Sequence, residues 1–219
     1  MKIQMSEITF VREIKQASCV STFLVNWSDK LCVLRVLNRT ENPPIPHQII
    51  PHHDPFESES QAYKKLKVKG VCRLGYVPDF YGVIEDINSA DHLPHLQDFL
   101  GKRLHPGAVL IEYVPNIQPI KLQTKFPIRD KFNEFACALK HIHDVEIAHG
   151  SPCPRHMMVQ DGTGRTVWIG FTWARIIPAA FCTEKEKELL TLEKIQVQLH
   201  LKDWLEEQRL PAITVTEGL

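Results

Sequence analysis

Two kinds of hydrophobic periodicity divide the chain. Between residues 8 and 37 the apolar runs are short and β-branched. "FLVNW" and "LCVLRVL" are joined by "SDK", which predicts a β-hairpin. Further on, "GVCRLGYVPDFYGVIED" and "GAVLIEYV" read as two more strands, separated by a polar insertion at 86–106. The stretch 38–55 is rich in Pro, His and Asn and reads as a loop. A helix is predicted to start sharply after it. Asp54 is a capping residue, Pro55 suits the first helical turn, and Glu57 stands three after the cap. Phe56, Ala62, Tyr63 and Leu66 form its apolar side.

The second half has helical spacing. Ile128, Phe132, Phe135, Leu139 and Ile142 recur at intervals of four, three, four and three, which places them on one helix face. A short strand pair follows, "MMVQ" and "TVWIGF", linked by the turn-forming "DGTGR". A last helical segment starts near Thr183, with Glu186 completing a capping box. Its continuation, "IQVQLHLK", alternates with period two, which weakens the helical pattern there. Ile195, Val197, Leu199, Leu201, Trp204 and Leu205 are expected mainly to cover the core, with an interface as the other use. Five strands with one helix, then a mostly helical half, make an α+β plan with two lobes.

Composition narrows the class of function. The chain has 219 residues, of which 43% are hydrophobic and 24% charged, enough to bury a sizeable core. Lys+Arg and Asp+Glu balance at 26 each, so no global charge draws the chain to nucleic acid or to an anionic membrane. No apolar leader opens the sequence, and no apolar run is long enough to span a bilayer. The six cysteines are scattered and form no C-x-x-C, which fits a reduced, intracellular setting, cytoplasmic or nuclear.

The chemistry concentrates in "IAHGSPCPRHMMV" and "VWIGFTWA". With "LCVLRVL", "FESESQAYKKL", "VPDFYGVI" and "AVLIEYV" before them, these segments resemble the protein-kinase fold, in a form like the small kinase-like proteins of filamentous fungi. The resemblance covers roughly residues 8–176 and rests on the order and spacing of elements. It implies a small lobe at 1–112 and a shortened helical lobe at 113–219. It places Arg35 at the phosphate-binding Lys, Glu59 at the Glu that pairs with it, and Glu112 and Tyr113 beside an adenine slot. His149 stands at the His of the H-R-D motif, Gly150 at its Arg, and Ser151 at its Asp. His156 stands at the metal-holding Asn, and Gly170 at the Asp of D-F-G, with Phe171 retained.

The resemblance therefore implies a degenerate site. Ser151 cannot accept the substrate proton as a carboxylate does, and neither His156 nor Gly170 supplies the expected metal-binding oxygen. Lys15, Ala17 and Val20 stand where the phosphate loop places glycines, and their side chains block close backbone approach. Losing one electrostatic contributor costs about a hundredfold to a thousandfold in rate, and here three are replaced. The implied protein is a pseudokinase: a scaffolding, regulatory or binding module with no metal or cofactor and with a protein partner or small ligand in the cleft. Arg35, Glu112 and Tyr113 are its remaining candidate nucleotide contacts, and Arg35 with Glu59 reads equally well as a solvated surface pair. Other readings are residual phosphotransfer and a repurposed cleft. A zinc site among His141, His143, His149, Cys153 and His156 matches no compact ligand spacing. Nucleophilic catalysis by Ser151 or Cys153 lacks an elbow motif.

Overall fold

The computed structural model describes residues 2–40, 53–122 and 125–207. Most of the predicted loop at 38–55 lies outside the described residues. The chain runs β1 (Ile8–Ala17), β2 (Val20–Trp27), β3 (Lys30–Leu37), α1 (Pro55–Val68), β4 (Phe80–Ile84) and β5 (Gly107–Glu112). It continues through β6 (Ile117–Pro119), α2 (Ile128–Asp144), β7 (Ile147–Ala148), β8 (Met157–Gln160), β9 (Thr166–Trp168), β10 (Arg175–Ile176) and α3 (Glu184–Glu207). The fold is mixed α+β. β1 to β5 form one antiparallel sheet in the order β1-β2-β3-β5-β4, and two small sheets pair β7 with β10 and β6 with β8 and β9.

The local signals operate as physical chemistry requires. Ser28 and Asp29 take positive φ in the two-residue turn that pairs Trp27 with Lys30. The Asp54 carboxylate accepts from Glu57 N–H at 2.9 Å and caps α1, which Pro55 opens. Phe132, Phe135, Leu139 and Ile142 of α2 are buried. The Thr183–Glu186 capping box starts α3.

Each face of the large sheet is covered. Side chains alternate along β3, so Leu37 joins the core shared with α1 and α2, while Leu34 and Val36 join a second core. That second core is closed by Ile87, Leu96 and Phe99. The 86–106 segment, expected as a polar insertion, thus folds into 3-10 turns and covers the sheet. The strand expected over 70–86 is limited to β4, because Cys72–Leu74 turns as a 3-10 helix.

The period-two stretch "IQVQLHLK" is helical, within α3. Its apolar residues divide between opposite sides. Val197 and Leu201 are buried and Trp204 and Leu205 half-buried, whereas Ile195 and Leu199 are exposed. Core cover is therefore correct for four of the six residues and wrong for Ile195 and Leu199.

Candidate functional site

The sheet and α1 bring Arg35 and Glu59 together. Arg35 follows Leu34 on β3 and so points to the opposite face, toward α1. Its Nε and Nη2 both donate to the Glu59 carboxylate, the second at 3.0 Å. Nη2 also reaches Thr172 Oγ1 at 3.2 Å, and Nη1 reaches Thr22 Oγ1 at 3.4 Å. Thr172 in turn donates to Glu59 Oε2 at 2.9 Å. The Glu59 side chain is fully buried and that of Arg35 is 13% exposed, so a solvated surface pair is not what forms. Four of the five guanidinium N–H groups are already engaged, which leaves little of Arg35 for a phosphate.

The loop after α2 is held from behind. Glu193 of α3, buried, accepts from His149 N–H at 3.0 Å and from Gly150 N–H at 2.6 Å. His143 Nε2 lies 2.7 Å from the same carboxylate. Burial opposes the charge on Glu193, but these donors outweigh it and hold the carboxyl below its usual range. Gly150 has φ +79°, and a Cβ there would stand 1.9 Å from the Trp173 carbonyl oxygen. Only glycine fits at that place.

His149 is fully buried. Its Nδ1 accepts from Ser151 N–H at 3.3 Å, so Nε2 carries the proton and donates to the Ile169 carbonyl at 3.1 Å. Burial is the main cause that lowers its pKa to about 4, so it is a neutral bracing ring. The His149 ring lies 4.7 Å from Phe171, Phe171 lies 5.3 Å from Tyr63, and Tyr63 lies 6.0 Å from Phe80. These four rings form a continuous chain of aromatic contacts from the loop through α1 to β4.

Beyond His149 the site is filled by its own side chains. Gly170 has φ +81°, and a Cβ there would come within 2.7 Å of the His156 ring. The imidazole of His156 therefore occupies the space that a side chain at 170 would need. His156 Nδ1 lies 2.8 Å from the Ser151 carbonyl, so it must carry a proton and donate. It is then no base toward Cys153, whose Sγ lies 3.5 Å from the same nitrogen. Burial opposes a thiolate at Cys153, but the hydrogen bonds from His156 and Ser151 outweigh it and bring its pKa down to about 7. Ser151 Oγ lies 3.6 Å from Cys153 Sγ, and among the described residues no histidine nitrogen is hydrogen-bonded to it. Among the described residues, no three His, Cys, Asp or Glu side chains converge as metal ligands. His141 stacks on Tyr76 while His143 turns to Glu193, so the five residues of the zinc reading are not gathered.

The two residues expected beside an adenine slot are placed at the end of β5. Glu112 accepts two hydrogen bonds from Arg165, at 2.8 and 3.0 Å, and one from Asp79 N–H at 3.0 Å. Burial opposes its charge, but these partners hold its carboxyl below the usual range. Its side chain is committed to bracing the turn before β9, while Tyr113 is half-buried.

Four contributors escape sequence reasoning: Glu193, Thr172, Arg165 and Trp173. Each acts across a large chain separation; Glu193 and Arg165 stand outside the quoted segments, and Thr172 and Trp173 stand within "VWIGFTWA" at positions to which the resemblance assigned no role. No described helix is long and apolar enough to cross a membrane. No protein-family model matches the chain, and no curated protein is significantly similar to it.

Proposed function

We propose that this chain is a protein-kinase-like pseudokinase: a two-lobed scaffold that binds and regulates, and does not transfer phosphate. One observation carries the reading. The His156 ring lies against Gly170, so the two positions that would hold metal oxygens pack on each other. Three further features support it. Arg35 and Glu59 form the expected ion pair, but one consumed by Thr172 and Thr22. The loop keeps its shape through Glu193 and His149, with Ser151 in place of a carboxylate. The β1–β2 hairpin turns without glycine. Phosphoryl transfer relies on positioned metals and a proton acceptor, and these groups supply neither. The partner on this reading is an intracellular protein or a small ligand held between the lobes, with no role for nucleic acid.

Magnesium–ATP tests the reading. A micromolar site at millimolar nucleotide stabilises the native state by about 4 kcal/mol, several degrees in melting temperature. The expected shift is near zero and the same with and without magnesium. A clear magnesium-dependent rise would overturn the proposal and point to residual phosphotransfer.

A further inference from the structure

Helix α3 buries one side against α2 and the loop, through Glu193, Val197 and Leu201. Its opposite side is also apolar at its centre: Leu192, Ile195 and Leu199 are 55%, 47% and 50% exposed. Two charged residues flank this centre at each end, Lys185 and Glu188 before it, Lys202 and Glu206 after it, all exposed. The seven positions are separated by three, four, three, four, three and four residues. That is the spacing of a single coiled-coil seam about 32 Å long.

The order of residues along this seam is Lys, Glu, Leu, Ile, Leu, Lys, Glu. Reflected about Ile195, it becomes complementary to itself. In an antiparallel pair of such helices, Ile195 meets its own copy and Leu192 meets Leu199 of the other chain. Glu188 then meets Lys202, and Lys185 meets Glu206. In a parallel pair every charge would face an identical charge, which is repulsive. A two-fold axis requires a patch complementary to itself, and the antiparallel seam meets that requirement. A shallow groove of about 430 Å³ borders the apolar centre, lined in part by Ala136, Leu139 and Gln198, and gives an incoming leucine a place to seat.

We propose that the partner of this face is a second copy of the same chain, docked antiparallel through α3. Six apolar side chains make a small interface, of the weak class that assembles on the order of 10 µM. The proposal does not depend on what the cleft binds.

Sedimentation equilibrium of the full chain tests it, at low salt and with reductant so that no disulfide mimics a dimer. The expected result is a monomer–dimer equilibrium that weakens as salt screens the exposed flanking pairs. Ile195→Asp sets two carboxylates face to face and should leave only monomer, with an unchanged circular dichroism spectrum because the site is exposed. Glu188→Lys or Lys202→Glu alone should loosen the dimer about tenfold, since each acts twice across the axis. The double reversal should restore it. A chain that stays monomeric at several hundred micromolar overturns the proposal and leaves the face to another occupant. A dimer indifferent to Ile195→Asp also overturns it, and failure of the double reversal to rescue rules out the antiparallel register.

Discussion

The two sides of the candidate site solve the same problem in opposite ways. On the sheet side, Arg35 and Glu59 keep full charges and bury them. They are sustainable there because Thr22 and Thr172 add hydrogen bonds that engage four of the five guanidinium N–H groups. On the loop side the positions expected to carry charge hold uncharged groups. His149 carries no charge, Ser151 replaces a carboxylate, and Gly170 gives its space to His156. The one buried charge on that side, Glu193, stands behind the loop and holds its backbone. On the proposed reading, a site with fixed charge on only one side serves to hold a partner. The same reading expects it to stabilise the moving charge of a phosphoryl group poorly.

The sharpest way to break this comparison is to remove one buried charge. Glu59→Ala strands the Arg35 guanidinium with only two hydroxyls. The expected loss is about 3–5 kcal/mol, read from urea denaturation. The double variant Arg35→Met/Glu59→Leu removes both charges and should cost far less, within about 1–2 kcal/mol of the parent. If Glu59→Ala costs under about 1 kcal/mol, the pair is solvated and the sheet side is no different from an ordinary surface.

The loop side should reveal itself through pH. His149 has a folded pKa of about 4, below the ordinary 6.5, because burial disfavours its charged form. Between these values the unfolded chain binds a proton there that the folded chain does not. Stability from this group is therefore complete above about pH 6.5 and is lost as pH falls toward 4, by up to about 3 kcal/mol. Glu193 adds to the loss lower down, since its folded pKa is also depressed and its stabilisation disappears as it protonates. Denaturation midpoints from pH 7.5 to 4 measure the sum, and His149→Gln should flatten the upper part of the profile. A profile unchanged by that substitution would show that His149 titrates as a solvated ring.

What was legible in the sequence follows the range of the forces involved. Asp54, Pro55 and Glu57 cap α1 within four residues, so the start of that helix reads directly. The stripe of α2 reads because one side of it is buried and the others are not. Arg35 and Glu59 were placed by resemblance alone, and nothing local shows that Thr172, 113 residues beyond Glu59, closes their network. Glu193 is harder still, since an acidic residue in the middle of "TLEKIQ" looks like any solvated helical position. Its three donors come from 43 to 50 residues upstream. The 86–106 segment hid its three core residues because its 3-10 turns, of three and four residues, are too short to repeat an apolar position. The alternation in "IQVQLHLK" has a specific cause as well. A helix that is apolar on two opposite sides no longer shows the single stripe that marks a surface helix.

The smallest effect concerns the contact that fills the loop side. Gly170→Asp places a carboxylate where the resemblance puts the Asp of D-F-G, at a position with φ +81° and a neighbouring ring 2.7 Å from the new Cβ. Both features cost free energy. The positive φ is tolerable for Asp but not favoured, and the His156 ring must move although its Nδ1 hydrogen bond to Ser151 resists. The expected loss is about 2 kcal/mol. Adding His156→Ala removes the ring, and with it the steric part, while leaving the backbone part. The pair should thus be less destabilised than the sum of its single variants by about 1 kcal/mol, measured as the coupling in a double-mutant cycle. Strict additivity would show that His156 does not occupy the space beside Gly170. The candidate metal position would then be open, and the contrast between a charged sheet side and a filled loop side would lose its structural basis.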